Sequence, residues 1–240
     1  MKIDVFFTPL GLNAGDLSGR GVIVVDVLRA TTSIITALAN GAKGVVPTTT
    51  SEEAVRLTAN LEKNGYVLAG ERKSLKIEGF PLGNSPREMT AEAVGGKTIY
   101  MSTTNGTPAL VAAQGGEPVL VAAAVNFSAV AERARAVFDE RGDLVIVCAG
   151  REKQFALEDG YVAGRLVKAV RKGRRKIALN DAAAVALDLT SSYATWVAAL
   201  EASEAARQLR EVDLGDDVTF SAKADRFDVV PSFVDRRIVA

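Results

Sequence analysis

The chain has 240 residues, of which 48% are hydrophobic, and its formal net charge is zero. This length and composition exclude a disordered chain and fit one large domain or two small ones. A neutral chain lacks the basic character of non-specific nucleic-acid binders and of proteins that bind acidic membranes, so we expect neither partner.

Cysteine and histidine usage narrows the chemistry. Cys148 is the only cysteine, which excludes an intramolecular disulfide and indicates a reducing, cytoplasmic location. The chain has no histidine, so Ser-His-Asp and Cys-His nucleophiles and imidazole zinc sites are excluded. Carboxylates, hydroxyls, lysine, arginine, one thiol or a hard metal remain for catalysis. The first ten residues show no secretory signal, and no apolar run approaches the roughly 18 residues of a membrane span.

Strands and helices alternate along the predicted chain. Apolar and β-branched runs predict strands at 2–7, 21–25, 44–47, 66–69, 97–101, 118–121 and 144–147, with two short ones at 228–231 and 237–240. Helical spacing predicts helices after 31–33, from 51, and over 105–114, 126–140, 157–170, 180–187, 191–200 and 203–212. The segment 70–89 is the longest irregular stretch and carries turn residues among many charges, which is typical of a functional loop.

This alternation predicts an α/β fold with three α/β/α layers and a mostly parallel or mixed sheet. A weak internal repeat supports the same reading: aligning Gly41 with Gly115 places Thr31 and Thr32 near 103–106. The chain 1–240 is therefore expected to be a single domain, which could comprise two intimately packed α/β halves of about 1–95 and 96–240. Parallel strands would place the polar turns that follow them along one rim of the sheet.

The first polar turn follows the strand 21–25. Asp26 could be a metal ligand or a nucleophile, although a helix cap or a solvated turn explains the same position. Arg29, Thr31 and Thr32 combine a cation and hydroxyls with a predicted helix N-terminus, which favours an anion. Ordinary capping would need only one of these hydroxyls.

The second polar turn, after the strand 97–101, offers the same kind of anion site without a cation. Its polar groups are Thr103, Thr104 and Asn105. Between the two turns, Glu71 and Lys73 follow the strand 66–69. Glu71 is a candidate metal ligand, and a surface charge run is the alternative.

The third polar turn lies between the strand 144–147 and the helix 157–170. Arg151 and Lys153 could clamp a phosphate or sulfonate. Glu158 and Asp159 fall in the first helical turn, where carboxylates are stabilised in any case. Cys148 stands beside a helix N-terminus and two cations, features that lower a thiol pKa, but its spacing to Arg151 does not match a cysteine phosphatase, so we favour a packing role.

Four motifs in order resemble the 2-phosphosulfolactate phosphatase family. They are DVLRATTSI from Asp26, GERKSLKIEGFPLGNSPREM from Gly70, STTNGT from Ser102 and CAGREKQFALEDGYVAG from Cys148, and the later DRFDVVP also fits. The resemblance covers most of the chain. It implies an α/β fold of the family's own type and a Mg²⁺-dependent phosphatase of coenzyme M biosynthesis.

A metal-assisted phosphatase mechanism gives each polar turn a role. We expect Mg²⁺ to be held by some of Asp26, Glu71, Glu158 and Asp159. Catalytic and substrate-binding roles would then fall to the neighbouring cations, hydroxyls and amides, namely Arg29, Arg151, Lys73, Lys153, Thr31, Thr32, Thr103, Thr104 and Asn105. One carboxylate would act as general base, and Asp26 could instead form an aspartyl-phosphate.

Two alternatives stay open at this point. The chain could act on a different small phosphorylated acid, or it could bind a phosphorylated or sulfonated metabolite without turnover. The alanine-rich helices after residue 180 could also pack against a second copy in a homo-oligomer.

Overall fold

The structure, a computed structural model, describes residues 1–174 and 176–240. These residues form one sheet of eleven strands surrounded by eleven α-helices and one short 3₁₀ helix, Ala124–Asn126. The strands are β1 (Lys2–Phe6), β2 (Gly21–Val25), β3 (Gly44–Thr48), β4 (Tyr66–Arg72), β5 (Leu75–Lys76), β6 (Thr98–Ser102), β7 (Val119–Ala122), β8 (Asp143–Cys148), β9 (Ala178–Leu179), β10 (Ser232–Val234) and β11 (Arg237–Val239).

The helices follow the strands in alternation over most of the chain. They are α1 (Ala14–Leu17), α2 (Ala30–Ala39), α3 (Ser51–Thr58), α4 (Ala91–Val94), α5 (Gly106–Ala112), α6 (Phe127–Arg141), α7 (Leu157–Arg171), α8 (Asp181–Leu189), α9 (Trp196–Glu201), α10 (Glu204–Glu211) and α11 (Gly215–Ser221). None of the helices in the described part of the chain combines the length and the apolar character that a membrane span requires.

The sheet contains two parallel blocks joined by an antiparallel hairpin. One block has the order β4-β6-β3, and the other has the order β7-β2-β8-β1-β9. The hairpin of β10 and β11 lies between β3 and β7 and pairs antiparallel with both. Three antiparallel pairings separate β3 from β7, so the two blocks run in opposite directions along the sheet. The predicted α/β class and mixed, mostly parallel sheet are confirmed.

Strand β2 shows why the layers form. All five residues of GVIVV are buried, which is expected of a parallel strand that is covered on both faces. Val22 and Val24 belong to a hydrophobic core shared with α2 and α5. Ile23 and Val25 belong to a second core, shared with α6 and α7. Helices therefore cover both faces of this block, as the three-layer prediction requires.

The start of α2 differs from the prediction. The helix begins at Ala30, so Thr31 and Thr32 lie inside it and do not cap it. Thr31 Oγ1 donates a hydrogen bond to the carbonyl of Asp26 (2.7 Å), and Thr32 Oγ1 donates to the carbonyl of Val27 (2.8 Å). The capping prediction was wrong because these hydroxyls bind carbonyl oxygens of the preceding turn.

The last part of the chain also differs. The predicted strand at 228–231 is wrong, because the first strand of the hairpin begins at Ser232. The prediction also lacked α11, which follows α10 after a short turn.

The predicted halves are interleaved in the sheet, since β6 lies between β3 and β4, and β2 lies between β7 and β8. The division near residue 95 and the internal repeat stay predictions.

Candidate active site

One pocket gathers most of the predicted site residues. Those that line it are Asp26, Arg29, Glu71, Lys73, Thr104, Asn105, Arg151, Glu158 and Asp159. The turns after β2 and β8 reach the pocket from adjacent parallel strands, as the single-rim prediction expects. The turn after β6 belongs to the block that runs in the opposite direction. The prediction that all of these turns lie along one rim of the sheet is therefore wrong for that turn. All three turns nevertheless contribute residues to the lining of the same pocket.

Asp26 follows β2 and lies 7% exposed in the pocket wall. Its Oδ1 accepts a hydrogen bond from the Ala30 N–H (3.1 Å), which satisfies a free donor at the start of α2. Burial raises the pKa of Asp26 to about 7 against this hydrogen bond, and the nearby Glu71 and Glu158 carboxylates add to the rise. The other oxygen, Oδ2, faces Gly106, where an added Cβ would lie only 2.5 Å from it.

Asp159 ties together the ends of two neighbouring strands. Its Oδ1 accepts from the Val27 N–H (2.9 Å) after β2, and its Oδ2 accepts from the Gly150 N–H (3.1 Å) after β8. Burial raises the pKa of Asp159 well above its ordinary range, and the Glu158 and Asp26 carboxylates raise it further. Burial likewise raises the pKa of Glu158 to about 7. Three buried carboxylates therefore share one small region.

Glu71 joins the other two turns of the pocket. Its Oε1 accepts from the Thr104 N–H (2.6 Å), and its Oε2 accepts from the Ser74 N–H (2.9 Å) and from the Thr104 hydroxyl (3.2 Å). The polar hydrogens of Thr104 are thus engaged with a carboxylate. Asn105 accepts the Glu152 N–H through Oδ1 (3.1 Å), which leaves its amide N–H groups as the donors of this turn.

The cations of the pocket are held very differently. Arg29 is 4% exposed and forms an ion pair with Asp217 (2.7 Å). Arg151 is half-buried, and its nearest carboxylate, Glu204, lies 3.9 Å away. Lys73 is exposed in the turn between β4 and β5, where its backbone adopts a positive φ of 51°. The pocket therefore has one fixed cation and two that keep more freedom.

Four predicted substrate-binding residues lie outside the pocket lining. Thr31 and Thr32 are buried in α2 with their hydroxyls bonded to backbone, and Thr103 shares its hydroxyl with Thr107. Lys153 is exposed on the turn after β8. Their placement gives no support to a substrate contact.

Cys148 ends β8 with its side chain in the core shared with α6 and α7. Burial raises the pKa of its thiol well above the ordinary value, and the Asp159 and Glu158 carboxylates add to this effect. The expectation of a lowered pKa was wrong, because the side chain enters the core and does not face the polar turn. The packing role that the sequence favoured agrees with this burial.

Sequence reasoning gave no role to four polar residues of the pocket: Ser74, Asn84, Glu152 and Gln208. The Ser74 hydroxyl donates to Gln208 Oε1 (3.3 Å), so α10 contributes to the wall. Asn84 is 4% exposed, and its Oδ1 has no hydrogen-bond partner among the described residues. The length of the segment 70–89 was the available signal for Asn84, whereas nothing in the helical pattern singled out Gln208.

The charge balance of the pocket bears on metal binding. The lining carries five carboxylates against three cationic side chains. Among the residues that the structure describes, no three carboxylate or thiol groups form a ready metal cluster. Mg²⁺ takes oxygen ligands and commonly keeps several waters, so one or two carboxylates suffice for it. Asp26 offers such a ligand, because its Oδ2 accepts no hydrogen bond within the described chain. This donor set fits Mg²⁺.

Comparison with known proteins places this pocket in a family. Residues 6–236 match the family model described as 2-phosphosulpholactate phosphatase. The chain belongs to the 2-phosphosulfolactate phosphatase family. A protein of Caldanaerobacter subterraneus named "Probable 2-phosphosulfolactate phosphatase" is 39% identical over 232 residues, which cover 96% of this chain and 95% of that protein.

Further 2-phosphosulfolactate phosphatase relatives carry the same name. One from Symbiobacterium thermophilum is 39% identical over 227 residues (94% and 96% of the two chains). One from Clostridium acetobutylicum is 34% identical over 239 residues and covers both chains completely. The resemblance seen in the motifs is confirmed, and the matched region contains every residue that lines the pocket. Membership of this phosphatase family makes the protein a phosphoric monoester hydrolase.

Proposed function

We propose that the protein hydrolyses the phosphate ester of a small phosphorylated acid, 2-phosphosulfolactate, with the help of Mg²⁺. The observation that carries this proposal is the pocket of five carboxylates and three cations at the meeting point of both sheet blocks. The pocket wall is recessed, since Asp26, Arg29 and Asp159 in it are buried, which suits a small metabolite better than a phosphorylated protein surface. The family and the names of the relatives support 2-phosphosulfolactate as the substrate.

Charge supports the metal. A phosphorylated sulfo-acid carries several negative charges, and it would enter a pocket whose own carboxylates outnumber its cations. Repulsion between these anions would be severe without a bridging cation, because buried charges are weakly screened. Asp26 would hold Mg²⁺ with one of Glu71, Glu158 or Asp159. When bound, Mg²⁺ would neutralise phosphoryl charge and lower the pKa of a coordinated water.

The residues of the chain would share the remaining work. The fixed guanidinium of Arg29 and the fork of Arg151 would stabilise the oxygens of the transferring phosphoryl group. The Asn105 amide would donate a further hydrogen bond. Lys73 is free to move on its turn, so it would bind the sulfonate or carboxylate end of the substrate.

Asp26 is the group best suited to general-base or nucleophilic chemistry. Its pKa is about 7 in the metal-free protein, and bound Mg²⁺ would lower it, so that Asp26 would be ionised, as a base or a nucleophile must be. Asp159 and Glu71 have both carboxylate oxygens in hydrogen bonds to the chain, so they are better suited to holding the turns. Rapid quenching with labelled substrate would separate the two roles, since only nucleophilic attack leaves label on Asp26.

Phosphate release tests the proposal directly. The substrates would be 2-phosphosulfolactate, phospholactate, phosphoglycerate and p-nitrophenyl phosphate, each with Mg²⁺ and with a chelator. We expect Mg²⁺-dependent release that is fastest on 2-phosphosulfolactate. The Asp26→Asn variant should lose activity, whereas Glu211→Gln, on the exposed surface of α10, should retain it. Release from none of the four substrates would refute the proposal, and tight anion binding without release would indicate a binding protein.

A further inference from the structure

A buried ion pair lies directly behind the pocket. Arg29 Nη1 donates to Asp217 Oδ2 at 2.7 Å, and the side chains are only 3% and 1% exposed. Arg29 lines the pocket, whereas Asp217 lies on α11 and does not. The pair joins residues that are 188 positions apart in the chain. Asp217 therefore reaches the pocket through its contact with Arg29.

Two further contacts complete the arrangement. The Ser85 hydroxyl donates to Asp217 Oδ1 (2.6 Å), so both carboxylate oxygens accept a short hydrogen bond. On the other side of the guanidinium, Arg29 Nη2 donates to the Ser74 carbonyl (2.7 Å). Two segments thus contact the guanidinium directly, α11 through Asp217 and the turn between β4 and β5 through Ser74, and Ser85 holds Asp217 from its other side.

The arrangement restricts Arg29 far more than burial alone requires. Arginine has many side-chain rotamers, and contacts at Nη1 and Nη2 fix the plane of its guanidinium. Donors that already point at developing charge stabilise a transition state without reorganisation when the reaction occurs. Asp217 also supplies the charge that keeps a desolvated cation stable in the absence of substrate. Arg151, by comparison, has its ion-pair partner Glu204 at 3.9 Å, and that carboxylate is largely exposed.

We propose that Asp217 and Ser85 are positioning residues that hold Arg29 in the orientation in which it binds the phosphoryl group. The inference rests on the proposed function, in which Arg29 contacts the phosphoryl oxygens. It adds a dependence of the active site on α11, a helix outside the polar turns. A purely structural tie between α11 and the pocket wall would show the same contacts, so the test must separate stability from phosphoryl binding.

The main variant is Asp217→Asn, which keeps the shape of the side chain. The amide oxygen can still accept the Ser85 hydrogen bond. The variant has no negative charge to pair with the Arg29 guanidinium. We expect kcat/KM to fall roughly tenfold to hundredfold, because small displacements of a positioned group cost about this much. The affinity for orthovanadate, measured by titration calorimetry, should fall in parallel. In the Arg29→Gln background, adding Asp217→Asn should lower kcat/KM by less than about twofold, because the effects of two residues that act through one contact are not additive.

Asp216→Asn is the matched control. Asp216 is the preceding residue of α11. It forms an ion pair at 2.8 Å with Arg87, which lies in the segment 70–89 as Ser85 does, but both side chains of this pair are largely exposed. This variant removes a carboxylate and a contact between the same two segments without touching Arg29. It should change neither kcat/KM nor vanadate affinity.

Ser85→Ala covers the case in which Asp217→Asn does not fold, because it removes one hydrogen bond and keeps the ion pair. It should lower kcat/KM several-fold in the wild-type background and have no effect in the Arg29→Gln background. A reduced Tm in these variants with kcat/KM and vanadate affinity within twofold of wild type would overturn the proposal. If the wild-type protein released no phosphate, the proposed function would fail, and vanadate affinity of wild type against the variants would still decide the role of Asp217.

Discussion

Raising the pH from 5 to 7 without divalent metal should destabilise the folded protein. The pKa of Asp26 is about 7 in the folded state against an ordinary value of 3.8, because burial disfavours its charged form. Between these two values the folded state binds the proton that the unfolded state has released. The free energy of unfolding is therefore higher at low pH and falls as the pH rises toward 7.

The magnitude follows from the same pKa values. One proton bound only by the folded state changes the free energy of unfolding by about 1.4 kcal/mol per pH unit. Because the folded state keeps only about half of this proton at pH 7, the two pH units remove roughly 2 kcal/mol, a large part of a typical stability of about 5–15 kcal/mol. Glu158 and Asp159 also have raised pKa values, so Asp26 alone gives the smallest expected loss. The chain has no histidine, which removes the usual source of a slope in this range.

Urea unfolding followed by circular dichroism at pH 5, 6, 7 and 8, with chelator present, would measure this slope. The Asp26→Asn variant is the control, because its amide oxygen can still accept the Ala30 N–H. It should show a smaller slope and a higher stability than wild type at pH 7. Added Mg²⁺ should stabilise the wild type more at pH 8 than at pH 5, since its ligands must be deprotonated. A wild-type stability that stays constant or rises from pH 5 to 7 would contradict the reasoning.

Four further changes test other parts of the structure. Gly106→Ala would place a Cβ 2.5 Å from Asp26 Oδ2. It should therefore destabilise the fold by about 1–3 kcal/mol in urea unfolding and reduce phosphate release. Unchanged activity would show that the pocket wall can move to accommodate the added methyl group. Cys148 should resist iodoacetamide in the folded protein at pH 8 and react in urea, as mass spectrometry would show, and rapid labelling of the folded form would contradict its burial. Asn84→Ala should raise KM roughly tenfold by removing the amide N–H donors that this pocket residue can offer to an anion, and an unchanged KM would exclude that contact. Ile238→Ala, in the middle of the sheet, should cost about 2–5 kcal/mol of unfolding free energy, and a loss below 1 kcal/mol would show that the hairpin contributes little.

The sequence predicted best those elements whose burial pattern is continuous. The apolar run 21–25 matches β2 at both ends, and the strand, polar turn and helix from 144 onward match β8 and α7 closely. Such strands have helices on both faces, so their composition alone identifies them. Nine predicted residues reached one pocket for the same reason, because polar groups that end buried strands must lie at the sheet margin.

The parts that were missed depend on contacts between distant segments or on unusual turns. Asp217 resembles any carboxylate in the first turn of a helix, and only the folded chain brings it to Arg29. The hairpin of β10 and β11 turns at Asp235 and Arg236, both with positive φ (48° and 61°), where asparagine and glycine are the usual signal. Without that signal the strand before the turn was placed four residues too early.

The position of this hairpin bears on how the protein folds as it leaves the ribosome. Residues 232–239 form the two strands between the parallel blocks, yet every other strand precedes them in the chain. A nascent chain can assemble both blocks before these residues emerge, and during that interval β3 and β7 are unpaired edges that invite association with other chains. The strands that join the two blocks are thus synthesised after the blocks themselves, so residues 232–239 must insert between two edges that can already have formed.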